Sequence, residues 1–472
     1  MLGSLGGVFE MNWNRVACSC ALLLWGIGIG FSQEAALSDV AKEAVTELTG
    51  ANYGKFFARF DEKMQAALPE AKLSEMWRAI TTQAGAFKSQ GAIRQDRSDQ
   101  YDIVTVTCQF EKAALDVRLV FAANRKLSGL FFAPGSSSQV RPQEPKPPFP
   151  YSQEEVACES LEPGVKLAGT LTIPDSQGPF PAVLLITGSG SQNRNEEIMG
   201  HKPFLVLADY LTRRGIAVLR VDDRGVGGSS AGPPTATSLN FAQDVLGGVA
   251  YLKSRKEVDP GKIGLIGHSE GGIIAPIAAN QSSDVAFIVL MAGSGVKGED
   301  ILLEQGRLLM RANGASEELM QENTKVQKML FSVIKSTSDN KAAEKQMREF
   351  LSTVTPAIRD TALAQMNMAL SPWMRFFVTY DPQTALRKVR CPVLAINGEK
   401  DLQVPPSQNL PAIENALRAG GNKDFKVVEL PGLNHLFQTC KTGTVSEYGQ
   451  IDETISPTAL ELMGSWILQH TR

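Results

Sequence analysis

Apolar residues recur at distinct spacings along the chain, and the spacing changes at definite points. From about Ala35 to Gln83 they fall on helical faces, as in Phe56, Phe57 and Phe60 and then Leu73, Met76, Trp77 and Ile80, the three-to-four-residue period of an amphipathic helix. From Phe87 to Phe132 the pattern turns to short alternating runs, such as Ile103-Val104-Thr105-Val106-Thr107 and Leu115-Asp116-Val117-Arg118-Leu119-Val120. Period two puts one face of a strand into a core and the other away from it. Helices followed by strands predict a small α+β domain over residues 35–133. It contains no histidine and reads as a packing or binding module.

Residues 134–152 hold six prolines, Gly135 and three consecutive serines. Proline removes a backbone donor and fixes φ, so this stretch predicts a semi-rigid linker. Beyond it, over residues 153–472, nearly all-apolar runs alternate with helical ones. The runs Val183–Ile186, Ala217–Val221, Ile263–Ile266, Ala286–Leu290, Val393–Ile396 and Phe425–Val428 read as strands buried on both faces. The intervening Pro203–Arg214 and Phe241–Arg255 read as covering helices. That is the pattern of a mostly parallel sheet between helices, whose chemistry lies beyond the carboxyl ends of the strands. One section, about 296–380, is helical without a strand candidate and predicts a cap inserted at that edge. It carries seven of the 14 methionines, which fit ordinary core better than an adaptable binding surface.

Composition narrows the picture. With 43% hydrophobic and 21% charged residues the chain is globular rather than disordered. A formal net charge of −3 and no Lys/Arg-rich block argue against a nucleic-acid partner. At the start, Arg15 precedes an uncharged apolar run from Val16 to Phe31, and small residues follow at Ser32, Ala35 and Ala36. This is the order of a secretory signal peptide, residues 1–34. The run is shorter than the ~20 residues of a spanning helix, so cleavage is expected rather than anchoring. Because Glu10 and the absence of a basic residue disfigure the first ten positions, translation is expected to begin at Met11. The mature protein is then secreted or periplasmic, with no stable membrane insertion. Cys18 and Cys20 lie early in the apolar run without a lipobox-like setting. Cys108, Cys158, Cys391 and Cys440 remain; none has metal-ligand spacing, and they read as buried free thiols more readily than as disulfides.

The chemistry gathers at strand ends. Gly267-His268-Ser269-Glu270-Gly271 fits G-x-S-x-G, directly after the run Ile263–Ile266 and before a helical segment. Small residues two before and two after the serine permit a sharp strand-to-helix turn, and the helix N-terminus favours an anionic intermediate. Pro276 predicts a kinked or short helix. A second match, Gly228-Ser229-Ser230-Ala231-Gly232, is followed by Pro233-Pro234 and has no such setting. Of the four histidines, His435 follows the Phe425–Val428 strand and is last in chain order among the candidates, where a sheet-borne triad needs its base. Asp401 leaves the end of Val393–Ile396 and is the candidate acid, with Glu399 as runner-up. For the oxyanion, the expected donors are the Glu270 backbone N–H and the loop Thr187-Gly188-Ser189-Gly190-Ser191-Gln192, at Ser189 or Gln192. That loop lacks a Walker lysine, which removes phosphate binding as its purpose.

With these residues in view, the region from Glu155 onward resembles bacterial α/β-hydrolase esterases that carry a small N-terminal domain of unknown function, some of them grouped with S9-like peptidases. The similar stretches are Gly267-His268-Ser269-Glu270-Gly271-Gly272, Asp222-Asp223-Arg224-Gly225-Val226-Gly227, Ser371-Pro372-Trp373, Tyr380-Asp381-Pro382, Asp401-Leu402-Gln403-Val404-Pro405-Pro406, Asn434-His435-Leu436-Phe437-Gln438 and Glu453-Thr454-Ile455-Ser456-Pro457. The resemblance implies an α/β-hydrolase fold, hydrolysis of small-molecule short-chain carboxylic esters, no cofactor or metal, and a triad of Ser269, Asp401 and His435. Thr187 stands where such proteins usually have histidine before the oxyanion glycine. Two other readings stay open: an amide, peptide or thioester substrate on the same triad, and an inert hydrolase fold that only binds.

Overall fold

The computed structural model describes residues 37–98, 101–134 and 141–472. The predicted signal peptide, with Met11, Cys18 and Cys20, lies outside them. The chain divides into two compact units, residues 1–140 and 141–472.

In the first unit, α1 (Leu37–Thr49), α2 (Tyr53–Ala58), α3 (Glu62–Ala67) and α4 (Glu70–Ala84) precede β1 (Phe87–Ser98), β2 (Tyr101–Phe110), β3 (Ala114–Phe121) and β4 (Leu127–Pro134). The strands form an antiparallel sheet in sequence order. Ala41, Ala44, Val45 and Leu48 of α1 lie three and four apart and are buried. They share one core with Leu73, Trp77 and Ile80 of α4 and with alternate strand residues Val104, Val106, Val117 and Leu119. The two periodicities of the sequence thus meet at one interface.

The second unit begins inside the proline-rich stretch. Arg141 is 1% exposed and donates to the carbonyls of Ile451 at 2.9 Å and Gly449 at 2.8 Å. The Gln143 amide bonds the backbone of Thr454 and Ile455. From Arg141 on, the segment read as a linker is fastened to the second unit, because a buried guanidinium supplies the donors that the prolines lack.

β5 (Tyr151–Glu159), β6 (Lys166–Pro174), β7 (Phe180–Ile186), α5 (Pro203–Thr212), β8 (Ala217–Val221), α6 (Ser238–Lys253), β9 (Val258–His268), α7 (Gly271–Ala279) and β10 (Phe287–Met291) follow. Next come the cap helices α8 (Gly298–Ala312), α9 (Glu317–Ser336), α10 (Asn340–Leu351), α11 (Pro356–Ala364), α12 (Met366–Ala369) and α13 (Pro372–Thr379), and then β11 (Val393–Gly398) and β12 (Phe425–Leu430). The eight strands lie in the order β12-β11-β10-β9-β7-β8-β6-β5. Only the β5–β6 and β6–β8 pairs are antiparallel. Each face of the sheet has its own core. Ala182, Leu184 and Ile186 of β7 pack with α6 and α7, while Val183 and Leu185 pack with α5 and the helix Pro457–His470. A strand buried on both sides needs no polar face, which accounts for the unbroken apolar runs. This is an α/β-hydrolase fold preceded by a small α+β domain. The cap builds a core of its own, in which Met347 and Met366 are buried. No helix among the described residues is long and apolar enough to cross a membrane.

Candidate active site

Ser269 occupies the turn between β9 and α7 with φ +54°, a left-handed conformation that costs a non-glycine residue free energy and is held by its surroundings. Its N–H donates to the Met291 carbonyl at 2.8 Å. The flanking glycines are steric requirements. A Cβ on Gly267 would stand 2.0 Å from the Gly271 carbonyl oxygen, and one on Gly271 would stand 2.3 Å from the Ile186 oxygen. α7 is 9 residues long with Pro276 inside it. The second G-x-S-x-G match does not form an elbow; Ser230 uses its hydroxyl to accept the Lys166 N–H at 2.8 Å.

Beyond β11 and β12 the structure brings His435 and Asp401 together, both buried, with His435 Nδ1 2.7 Å from Asp401 Oδ2. Asp401 Oδ1 accepts the backbone N–H groups of Gln403 and Val404 at 2.8 and 2.9 Å, so the carboxylate is fixed before it meets the ring. Glu399, the other acid considered, instead accepts the Gly432 N–H at 2.8 Å and closes a turn. The His435 loop is pinned by Asn434, whose Oδ1 accepts the N–H groups of Leu436 and Gln438 at 3.0 Å each. The residue next to Ser269 lies against this loop: the rings of His268 and His435 are 4.8 Å apart between centroids. The elbow and the His435–Asp401 pair are therefore neighbours.

A cavity of about 390 Å³ opens beside the elbow, lined by Gly188, Ser189, Asp223, Glu270, Met368 and Trp373 among others. Among the described residues, neither the Glu270 N–H nor the Ser189 N–H has a protein acceptor. Gln192 is engaged differently. Its N–H donates to Asp223 Oδ2 at 2.9 Å and its side-chain amide leans on the Ser189 carbonyl at 3.4 Å. Thr187 donates its hydroxyl to Asp223 Oδ1 at 2.7 Å, so the residue that departs from the resemblance braces the loop from below. Burial pushes the Asp223 carboxyl up to about 7, with the nearby Glu196 and Glu270 adding to the rise against the bonds from Thr187 and Gln192. Burial likewise raises the Glu270 carboxyl, which accepts from Ser238 Oγ at 2.6 Å and from the Trp373 indole N–H at 2.7 Å.

Asp223, Asn434 and Trp373 stood in stretches that carried the family resemblance, but no spacing in the sequence revealed what they bond. Of the cap methionines, Met368 lines the cavity, whereas Met320, Met347 and Met366 are buried. Cys108, Cys158, Cys391 and Cys440 are free thiols, and burial raises Cys108 and Cys158 to about 12.

The sequence pattern of the X-Pro dipeptidyl-peptidase (S15) family matches residues 163–428, and that of a protein of unknown function, DUF3887, matches residues 41–130. The chain is 25% identical to Esterase EstD of Thermotoga maritima over 410 residues, covering 86% of this chain and 88% of that one. It is 33% identical to Esterase FrsA of Vibrio cholerae over 144 residues, 30% of this chain and 32% of the other. Among solved structures, an esterase of Pyrococcus furiosus aligns with a TM-score of 0.42 at 15% identity, covering 68% of this chain and 90% of that one.

Proposed function

The chain belongs to the X-Pro dipeptidyl-peptidase (S15) family, and on that premise we propose that it hydrolyses short-chain carboxylic esters through an acyl-enzyme on Ser269. The observation that carries the reading is the 2.7 Å contact of His435 Nδ1 with Asp401 Oδ2, made beside an elbow serine held at φ +54°. Asp401 takes the Nδ1–H, which leaves Nε2 with the free lone pair that a general base for Ser269 needs. His435 accepts the Ser269 proton as Oγ attacks the ester carbon. The carbonyl oxygen gains the negative charge and is met by the Glu270 and Ser189 N–H groups, each such donor being worth ~3 kcal/mol. Collapse expels the alcohol, which takes the proton from His435. Water, deprotonated by His435, then attacks the acyl carbon; the acid departs and Ser269 recovers its proton.

Ester rather than amide chemistry is supported by the Thermotoga relative, an esterase by name, which matches along most of both chains. The cavity of about 390 Å³ lies at the small end of ligand sites and suits a short acyl group. A second reading has its own observation: Asp223 and Glu270 place carboxyl groups in the cavity wall, where a substrate amine could be held, as a peptide or aminoacyl substrate would require. Turnover of p-nitrophenyl acetate, butyrate and octanoate against aminoacyl p-nitroanilides separates the two. Ser269→Ala is expected to lower ester turnover by at least ~10³-fold. If a fluorophosphonate leaves the folded protein unlabelled, the chain is a binding protein on a hydrolase fold.

A further inference from the structure

A buried pair that the reaction as written does not use joins the loops around Ser269. Glu196, between β7 and α5, is 3% exposed and adopts φ +52°. Its Oε1 accepts the Gly188 N–H at 2.7 Å and faces His268 Nδ1 at 2.9 Å. On the other side of the ring, His268 Nε2 lies 3.0 Å from the His435 carbonyl oxygen. Both neighbours of the imidazole are acceptors when Glu196 is a carboxylate, since neither a carbonyl nor a carboxylate has a proton to give. A neutral imidazole has a single N–H and could serve only one of them. The geometry therefore calls for one more proton than a neutral histidine and a carboxylate would hold together. Burial by itself pushes the His268 imidazole down, but the Glu196 carboxylate and the His435 carbonyl outweigh it and the net shift is upward.

We propose that Glu196 and His268 are positioning residues for hydrolysis, a charged pair that fixes the loop receiving the oxyanion relative to the loop carrying the base. This rests on Ser269 and His435 being nucleophile and base. The contacts form one line, Gly188 to Glu196 to His268 to the His435 carbonyl, across the ends of β7, β9 and β12. Gly188 is confined from both sides: a Cβ there would stand 3.2 Å from Ser269 Cβ and 3.3 Å from Glu196 Oε1. Ser189, the candidate oxyanion donor, is the next residue, so any slack at Glu196 moves it. A shift of about 1 Å in such a donor or in the base costs on the order of 10²-fold in rate.

Glu196→Gln keeps shape and removes charge, and His268→Gln leaves an uncharged side chain with one donor nitrogen. Each is expected to lower kcat on a p-nitrophenyl ester by roughly 10- to 100-fold with KM little changed, and the double variant to be no worse than either single one, since the two act as a unit. Glu196→Asp, which keeps the charge, should recover part of the loss. In histidine-15N-labelled wild-type protein, both ring N–H protons of His268 should appear as slowly exchanging downfield signals, which needs no variant to fold. A single His268 N–H in the wild type, full kcat in the folded variants, or losses that multiply in the double variant would each overturn the proposal. Fluorophosphonate labelling of the wild type comes first: no labelling defeats the proposed function, whereas normal labelling with undisturbed variants defeats the positioning pair alone.

Discussion

Trp373, on the last cap helix, donates its indole N–H to the carboxyl of Glu270 at 2.7 Å, and Glu270 is the residue that follows Ser269. The cap is thus bonded to the elbow itself. Trp373 stacks on Phe377 of the same helix with ring centroids 5.2 Å apart, so the indole is held in place from its own side. Glu270 keeps its bond from Ser238 when the indole is lost. Trp373→Phe should then remove about 1 kcal/mol of interaction, appearing as a several-fold rise in KM with kcat less affected. Steady-state kinetics on a short-chain ester would measure it, and an unchanged KM would mean that the cap contact has no part in substrate binding.

The two acids after β11 provide a sharper contrast. Asp401→Asn preserves the turn but lets the side chain donate to His435 Nδ1, which selects the wrong tautomer; losses on the order of 10⁴ in kcat follow from this elsewhere. Glu399→Gln removes a charge two residues away that bonds the Gly432 turn, and kcat should stay within about twofold, as surface changes away from the chemistry generally do. Equal losses in the two variants would exchange their roles.

His201 offers a test by acid. It is fully buried, with Nδ1 2.9 Å from Thr454 Oγ1 and Nε2 3.0 Å from the Tyr448 carbonyl. Burial, with help from the Arg141 charge, pushes it down to about 4. Between that value and the ordinary 6.5, the unfolded chain binds a proton that the folded one refuses, so stability falls as pH drops through this window. Urea midpoints at pH 7, 5.5 and 4.5 should decline in the wild type, and His201→Gln should flatten the decline even if it lowers the starting value. A parallel decline in the variant would place the acid sensitivity elsewhere.

How much of this was legible in the sequence depends on how far apart the partners lie. β7, β8, β10 and β11 announced themselves because strands buried on both faces have few polar positions to blur the run, as did the apolar end of β9. β12, at the sheet edge with Lys426 and Glu429 exposed, was legible from its place in the series, and the triad candidates from their places at strand ends. β5 and β6 were not picked out: in β5 the polar residues Ser152 to Glu155 follow one another and five of the nine residues are exposed at the sheet edge, while Gly169, Thr170 and Thr172 interrupt the apolar run of the largely buried β6. The bonds Glu196–His268 and Trp373–Glu270 span 72 and 103 positions. Each side chain alone has an ordinary local context, and only the folded sheet brings the pairs together. The predicted signal peptide lies outside the described residues, so its reading stands on Arg15, the apolar run and the small residues after it.

Arg141 shows the same lesson at the domain boundary and can be tested by stability alone. Besides Ile451 and Gly449, its guanidinium reaches the Met199 carbonyl at 3.3 Å and lies 3.6 Å from the Asp452 carboxylate. A planar fork carries five donors in fixed directions and reaches carbonyls spread around it, whereas a lysine offers three donors from a single nitrogen. Burial lowers the Arg141 pKa, opposed by the charge of Asp452, so the desolvation cost is already present in the folded protein and part of each bond offsets it. Arg141→Leu removes that cost but leaves carbonyls buried without donors, at about 1–3 kcal/mol apiece in the worst case. The net expectation is a loss of about 3 kcal/mol in unfolding free energy, with Arg141→Lys recovering less than half, while ester turnover per folded molecule at 25 °C changes little, because the guanidinium bonds none of Ser269, His435 and Asp401. Chemical denaturation read by fluorescence, paired with active-site titration, separates the two effects. An Arg141→Leu protein as stable as the wild type would show that the C-terminal segment holds its place without the clamp.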